Sequence, residues 1–404
     1  MKIGILREGK IPPDSRVPLT PAQCRNLCDS TPSLCIVIQP SAGRCYTDQE
    51  YLDAGIVWQE DLCDCDFIMG VKEVPIQLLI PDKTFLFFSH TIKRQAYNRS
   101  LLQAILARRI RLIDYETLTD ERGNRLIAFG RFAGMVGAHN ALYTYGERSG
   151  AFHLPRMKDC HDYAEACAIY QQIQWPPIKI VLTGTGRVGS GAAEVLRDMG
   201  IRETDPEQFL HASFDEAVFT QLHTSDYVRH QHGVPFDKNH FHAHPEAYLP
   251  AFAPFAQKAD IFINGIYWDK RAPVFFSPEE MADPSFHIQV IADITCDIAP
   301  DSSIPSTIRP STIDDPVYGF DPRTWEECPA YQPNAIDVMA IDNLPNELPR
   351  DASAAFGQMF IEHVLPELFS PESAVLERAI IAEKGVLTPR FQYLQEFVNE
   401  TEPV

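Results

Sequence analysis

No apolar run in the 404-residue sequence approaches the ~18–20 residues that a bilayer-spanning helix needs, so no role as a membrane-embedded protein is expected. Positive charge is scarce. Thirty-five Lys and Arg stand against 55 Asp and Glu, a formal charge of −20. Phosphate backbones and anionic membrane surfaces would repel such a chain unless its cations were gathered into one patch. No such patch is present, so neither nucleic acid nor membrane is an expected partner. The basic residues are left to serve local sites, such as one for a small anionic substrate. Ten cysteines occur, but without a CxxC pair or zinc-finger spacing, and a chain of this length needs no disulfide staples. Reduced thiols and a cytoplasmic location are expected. At the start, the uncharged run between Lys2 and Arg7 is too short for a secretion signal and reads as an opening strand. The sequence does not determine an oligomeric state.

Hydrophobic residues make up 45% and charged residues 22% of the chain, as in an ordinary globular protein. At ~100–200 residues per domain, the length allows two or three domains. Over the first ~130 residues, short apolar runs alternate with helical stretches. Strand readings fall on residues 2–6, 35–39, 67–71, 84–89 and 111–115, and Thr20-Pro21-Ala22-Gln23 opens a helix with a capping Thr. A helical stretch around 134–150 leads out of this unit. A second alternating unit has strands at 179–183, 259–264 and 289–294, with a further candidate at 217–222. Helices are expected at 190–199, 352–368 and 373–384. The fold class is therefore α/β: two Rossmann-like domains with parallel sheets flanked by helices and an active site in the interdomain cleft. The expected division is residues 1–138 with 344–404, the tail packing back on the first domain, and 139–343, with a loop-like insertion at about 203–256.

Two sets of residues carry chemistry. Gly184-Thr185-Gly186-Arg187-Val188-Gly189 fits GxGxxG between a strand and a helix. Gly184 allows the tight turn, Gly186 lets backbone approach a pyrophosphate, and Gly189 permits close helix–strand packing. The helix start then offers N–H groups to phosphates. The carboxylate expected ~20 residues on, to hold a ribose, is missing: the candidate strand ends Phe219-Thr220-Gln221-Leu222, with Asp226 and Arg229 nearby. NAD and NADP both remain open, with NAD slightly favoured. The second set lies in the first unit: Asp14-Ser15-Arg16-Val17-Pro18-Leu19-Thr20-Pro21, Gly70-Val71-Lys72-Glu73, Ser89-His90-Thr91-Ile92-Lys93-Arg94-Gln95 and Gly123-Asn124-Arg125-Leu126-Ile127-Ala128-Phe129-Gly130. Lys72 and His90 each follow an apolar strand, and the carboxyl ends of neighbouring strands in an open α/β sheet meet at the ligand crevice. An amine and an imidazole there suit an acid–base pair.

With Asp114-Tyr115-Glu116, Asn264-Gly265-Ile266-Tyr267 and Ile341-Asp342-Asn343-Leu344-Pro345 added, these motifs resemble the alanine dehydrogenase/transhydrogenase-like superfamily. Within it they resemble the lysine-forming saccharopine dehydrogenases and lysine–2-oxoglutarate reductases. The likeness runs from about Lys2 to Leu368. It implies Lys72 as general base and His90 as general acid–base. It places Arg16, Lys93, Gln95, Arg125 and Phe129 on saccharopine, with Glu73 and Glu116 as acidic neighbours that tune the lysine. Gly184, Gly186, Arg187, Val188, Gly189, Tyr267 and Asp342 fall at cofactor-side positions. The implied activity is nicotinamide-dependent cleavage of saccharopine to lysine and 2-oxoglutarate, or the reverse. Two rivals stand beside it: another amino-acid or opine dehydrogenase, such as alanine dehydrogenase, and a non-catalytic nucleotide-binding regulator. The sequence departs from the pattern in the insertion, in the missing carboxylate and in Asn124, where relatives carry an arginine.

Seven of the 13 histidines lie within 211–244. His240, His242 and His244 alternate, which on a strand would put them on one face. They lack a cysteine or carboxylate companion at ligand spacing, so no metal site is assigned and the insertion is expected to be solvated. The acidic stretch 61–66 reads as a polar turn, and 396–402 as a solvated tail.

Overall fold

A computed structural model describes residues 1–370 and 372–400. Its contacts divide the chain into two compact units, one formed by Met1–Ala128 with the segment from Pro349 onward, the other by Phe129–Leu348. The divisions fall at 128/129 and 348/349, where the sequence places them at 138/139 and 343/344. Gly130–Ser149 is one uninterrupted helix, so the chain changes units before that helix rather than within it.

The first unit is built on a sheet whose parallel strands are β1 (Lys2–Ile5), β2 (Cys35–Ile38), β3 (Val57–Trp58), β4 (Phe67–Met69), β5 (Thr84–Phe87) and β6 (Arg111–Asp114). In space they run β3-β2-β1-β4-β5-β6, the doubly wound order that reverses between its first and fourth strands. Apart from the two-residue edge strand β3, which is exposed, the strands are short and mostly buried, as a sheet covered on both faces requires. Helix α1 (Pro21–Ser30) starts in a capping box in which Thr20 Oγ1 accepts from Gln23 N–H and the Gln23 side chain accepts from Thr20 N–H. Gln23 also donates to the Ala354 carbonyl at 2.8 Å, which seats the helix Pro349–His363 on this unit. The expected helix at 373–384 ends early. Its helical part is Ala374–Ala379, after which Ile380–Glu383 adds to β6 as an antiparallel strand. The β-branched pair Ile380-Ile381 favours that state. Of the expected solvated tail, Gln395–Asn399 is helical with Phe397 buried, and Thr401 and Glu402 lie outside the described residues.

In the second unit the parallel strands are β7 (Lys179–Thr183), β8 (Arg202–Glu203), β9 (Val218–Leu222), β10 (Ile261–Asn264), β11 (Val290–Asp293) and β12 (Ile336–Met339). Their order is β8-β9-β7-β10-β11-β12, extended by two antiparallel strands, Tyr318–Asp321 and Glu326–Cys328. The sheet again reverses beside its first strand, between β7 and β10. The strand next to β7 on the other side is β9, and the two-residue β8, which precedes β9 in sequence, sits outside it. The expected insertion thus contributes Glu203 and the five residues of β9 to the main sheet. Only the stretch between β9 and β10 stands apart, and it is ordered: helix Thr224–Tyr227, helix Lys238–Ala243, and the antiparallel pair Val228–His230 with Tyr248–Pro250.

Two long helices of this unit, α2 (Gly130–Ser149) and α3 (Arg187–Asp198), lie backbone against backbone. A Cβ on Gly191 would come within 2.1 Å of the Arg131 carbonyl oxygen, and one on Gly134 within 1.9 Å of the Val188 carbonyl oxygen. Overfilling a contact with so little room costs about 1–3 kcal/mol. Gly191→Ala is therefore expected to lower unfolding free energy by about 2 kcal/mol in urea titration. Gly43→Ala, whose added Cβ meets only Ser41 Oγ at 3.9 Å, should change it by less than about 0.5 kcal/mol. Equal effects of the two would contradict the close helix contact.

Candidate active site

The first unit gathers its charged groups where its sheet reverses. β1 runs into Leu6-Arg7-Glu8, and β4, beside it, runs into Gly70-Val71-Lys72-Glu73. The two strand ends are tied together by a side chain. The Glu8 carboxylate accepts from the Val71 N–H at 2.5 Å and from the Lys72 N–H at 3.0 Å. Burial pushes this carboxyl up to about 7. Glu8 was not singled out by the sequence. The available signal was a carboxylate three residues beyond an opening strand, and its meaning depends on β4, some sixty residues away.

Lys72 is largely buried. Loss of water, and next the positive charges of Arg16 and Lys10, bring its amine down to about 8, against the weaker upward pull of Asp14 and Glu73. Desolvation and like charge both disfavour the ammonium form. Arg16 is only 2% exposed. It sits against Asp14, with Nε 2.9 Å from Oδ1 and Nη2 2.5 Å from Oδ2. That fork-to-fork pair fixes the guanidinium plane.

His90 enters from the neighbouring strand. The β4–β5 pairing continues past the strand ends through Gly70 N–H to Leu86 O and Phe88 N–H to Val71 O, both at 3.0 Å, which sets the turn after β5 beside Lys72. Ser89 is buried and held by Asp114 at the end of β6 through both its N–H and its hydroxyl. His90 adopts a left-handed backbone, φ 53°, a strained state for a residue other than glycine. Its Nδ1 lies 2.5 Å from Glu73 Oε1, and the second Glu73 oxygen is 3.0 Å from Lys10 Nζ. Burial would raise the Glu73 carboxyl, but the His90 hydrogen bond and charge outweigh it and hold the group at about 2. Glu73, adjacent to Lys72 in sequence, thus fixes the imidazole that follows the next strand.

A second carboxylate collects further cations. Glu116 Oε1 accepts from Arg125 Nη2 at 2.7 Å and lies 3.8 Å from Lys93 Nζ, with both basic side chains about half exposed. Gln95 Oε1 accepts from the Tyr97 hydroxyl at 2.7 Å. Lys72, His90, Glu73, Arg16, Lys93, Gln95, Glu116 and Arg125 all belong to the first unit. Phe129, assigned to the same substrate site, opens the second unit as the residue before α2.

In the second unit, the glycine turn lies between β7 and α3. Gly184 has φ 94°, open only to glycine at low cost, and a Cβ on Gly189 would fall 1.9 Å from the Gly184 carbonyl oxygen. Gly186 is different: a Cβ there would have no atom within 4 Å. The backbone at Gly186 is therefore open to a ligand, and α3 begins at Arg187 and Val188. A cavity of about 400 Å³ borders it, lined by Gly184–Gly186 and by Gly265, Ile266 and Tyr267 beyond β10. Tyr267 is 96% exposed. This open cradle at a helix start, beside the reversal of a parallel sheet, fits a dinucleotide pyrophosphate. Asp342 is exposed, three residues past the end of β12.

The histidines of 211–244 are arranged differently from the strand reading. Asp237 caps a helix by accepting from His240 N–H at 2.6 Å, and the helix spans Lys238–Ala243. His240 then neighbours His244, their rings 5.2 Å apart, while His242, two residues from each, points elsewhere on the turn. Among the described residues, no group of three or more His, Cys, Asp or Glu side chains is placed to hold a metal. No described helix is long and apolar enough to cross a membrane, and all ten cysteines are free thiols.

Comparison with known proteins finds relatives along the chain. The alanine dehydrogenase/PNT N-terminal domain matches residues 4–136. The α-aminoadipic semialdehyde synthase of Arabidopsis thaliana is 31% identical across 97% of this chain, which covers 41% of that protein. The mitochondrial α-aminoadipic semialdehyde synthase of Rattus norvegicus is 31% identical, with coverages of 97% and 47%. The chain thus spans less than half the length of these relatives. An NAD(+)-dependent, lysine-forming saccharopine dehydrogenase of Emericella nidulans is 27% identical, with 91% of each chain covered. Among solved structures, an L-alanine dehydrogenase superposes with TM-score 0.66 at 17% identity over 98% of this chain and all of that one, a likeness of fold.

The Glu73 carboxylate supplies a test of the site. Its folded value near 2 lies below the ordinary 4.5, so the stabilisation it contributes, on the order of 3 kcal/mol, is complete above about 4.5 and is lost as the pH falls towards about 2. The gap in unfolding free energy between the native chain and Glu73→Gln should be wide at about pH 6 and shrink by about pH 3. A gap that widened on acidification would contradict the assignment. Its strand ends, glycine turn and sequence relatives agree: over residues 4–136 the chain is similar to the alanine dehydrogenase/PNT N-terminal domain, and over most of its length to α-aminoadipic semialdehyde synthases and to lysine-forming saccharopine dehydrogenases.

Proposed function

We propose that the chain is a nicotinamide-dependent oxidoreductase that cleaves saccharopine to L-lysine and 2-oxoglutarate, or runs the reverse condensation. The observation that carries this reading is the Lys72 amine, brought down to about 8 by burial and flanking cations beside an imidazole locked by Glu73. Saccharopine joins its two halves through a secondary amine, which is protonated in water near neutral pH. Hydride can leave the adjoining carbon only after that nitrogen has lost its proton. A lysine with a value near 8 is matched to accept it.

The remaining steps are proton transfers. Water adds to the C=N bond of the oxidised substrate, and the carbinolamine collapses to a ketone and an amine. His90 is the group assigned to carry protons through these steps, with Glu73 fixing the ring that does so. In sum, saccharopine and water give lysine, 2-oxoglutarate, one released proton and a hydride, that is a proton with two electrons, for which a bound nicotinamide would be the acceptor. The bound nicotinamide supplies the hydride acceptor, and Gly184, Gly186, Arg187, Val188 and Gly189 would hold its pyrophosphate. Tyr267 and Asp342 are assigned to the cofactor side as well. Saccharopine carries three carboxylates. Arg16, Lys93 and Arg125, with Gln95 and Phe129, are the groups assigned to them. In a chain of net charge −20 such local cations are what makes an anionic ligand bindable. Glu116, holding Lys93 and Arg125 on one oxygen, orients that pair.

The test is a matrix of saccharopine, alanine and other amino acids with NAD and NADP, read as absorbance of the reduced nicotinamide. Saccharopine should be turned over. Turnover of alanine alone would replace the substrate assignment, and none with any pair would remove the activity. Lys72→Met should lower kcat by about 10²–10⁴-fold, the usual contribution of a general base, with cofactor affinity retained.

The pH dependence follows from the charges around Lys72. Since the base works unprotonated, kcat/KM for saccharopine oxidation should rise tenfold per pH unit below about 8 and level off above it. Removing the positive charge at Arg16 removes a group that lowers the amine, so Arg16→Gln should move that inflection to higher pH. An inflection that stayed in place or moved down would contradict the electrostatic account.

A further inference from the structure

Asp114, the last residue of β6, is fully buried and takes no part in the proton transfers assigned to Lys72 and His90. Its two oxygens face two different turns. Oδ2 accepts from the Ser89 N–H at 3.0 Å and from the Ser89 hydroxyl. Oδ1 accepts from the Glu116 N–H at 2.7 Å. The first turn carries the imidazole. The second carries the carboxylate that gathers Lys93 and Arg125.

On the imidazole side, the chain is held both before and after His90. Ser89 Oγ, fastened to Asp114, accepts from the Thr91 N–H at 3.3 Å and lies 2.8 Å from Thr91 Oγ1. His90 is thus bracketed at its left-handed φ of 53°, a state that a side-chain-bearing residue leaves unless its neighbours hold it. On the other side, the Asp114 carboxylate closes a turn on the amide of Glu116, two residues on. Between the two turns lies the buried Tyr115, its ring 5.3 Å from Phe88 and 5.0 Å from Phe356. This apolar packing keeps out water that would otherwise serve the same donors. Burial pushes the Asp114 carboxyl above its ordinary range, and the Ser89 and Glu116 donors act against that. A carboxylate is a costly choice for a packing role alone.

We propose that Asp114 is a positioning residue for the reaction. Through Ser89 it sets the His90 imidazole, and through the Glu116 amide it sets the carboxylate that holds Lys93 and Arg125 for an anionic substrate. One buried carboxylate then couples the proton carrier to the substrate's carboxylate contacts. This rests on the saccharopine reading of those groups, and the experiment keeps the two apart.

Ser89→Ala, Asp114→Ala and Asp114→Asn are compared with the native chain in saccharopine oxidation. Circular dichroism and the unreactive, buried Cys24 and Cys65 thiols check that the first unit is folded. Acylation of His90 by diethyl pyrocarbonate, followed by peptide mass spectrometry, reads the imidazole without turnover. Ser89→Ala breaks only the imidazole arm, so kcat should fall about tenfold or more with KM unchanged. Asp114→Ala breaks both arms, so the same fall in kcat should come with a KM raised about tenfold. Asp114→Asn keeps the shape but turns an amide NH2 on one arm, so it should move kcat or KM even where Asp114→Ala does not fold. In a His90→Gln background, Ser89→Ala should lower kcat no further. His90 should be acylated faster in the Asp114 variants than in the native chain.

Native kcat and KM in Asp114→Asn, or native kcat in Ser89→Ala, would overturn the positioning role. An undiminished loss from Ser89→Ala in the His90→Gln background would overturn it too, and a native KM in folded Asp114→Ala would overturn the joint role. If the native chain turns over no saccharopine, the activity falls, and His90 acylation decides on Asp114: a faster rate in its variants supports the role, and an unchanged rate removes it.

Discussion

The energetic constraint on the first unit is a lysine amine kept out of water among cations. Water would hold Lys72 charged to the ordinary 10.5, whereas burial beside Arg16 and Lys10 brings it down to about 8. An uncompensated like-charge cluster would be expelled to the surface. Here each cation near Lys72 has a carboxylate of its own: Arg16 has Asp14 and Lys10 has Glu73. Glu73 also takes His90. The carboxylates thus stabilise the neighbours of Lys72 more than Lys72 itself, and the amine is left well below its ordinary value.

The two units share one topological device and use it differently. In each, a parallel sheet reverses order beside its first strand, which leaves a crevice at the carboxyl ends of two adjacent strands. In the first unit those ends carry Glu8, Lys72 and Glu73, which are titratable groups, and Glu8 ties them together through backbone amides. In the second they carry Gly184, Gly186 and Gly265, which offer backbone and space. Proton transfer needs titratable side chains in low-dielectric surroundings. Phosphate binding needs N–H groups that no Cβ obstructs. One fold presents either set of groups by changing the residues that follow the strands.

Much of this was readable in the sequence because strand ends and glycine turns are local signals. Lys179–Thr183 followed by Gly184-Thr185-Gly186 needed only a few consecutive residues, and the β7 strand has those bounds. Lys72 and His90 were recognisable because each follows an apolar run. Other features depend on partners distant in sequence. Glu8 matters through the amides of Val71 and Lys72, and Arg202–Glu203 is a strand only because β9 lies beside it. Ile380–Glu383 leaves the helical pattern because β6 offers an unpaired edge. The alternating histidines misled by period: i and i+2 share a face on a strand, but the Asp237 cap turns that stretch into a helix, in which i and i+4 are the neighbours.

The most direct probe of the central claim is the titration of Lys72 itself. The rate at which each lysine amine reacts with a small acylating reagent, followed by peptide mass spectrometry across pH, reports the unprotonated fraction residue by residue. Lys72 should show a midpoint near 8, while exposed lysines follow the ordinary value of about 10.4. If Lys72 titrated together with those exposed lysines, its burial among cations would not lower its basicity, and the assignment of this amine as the proton acceptor would be contradicted.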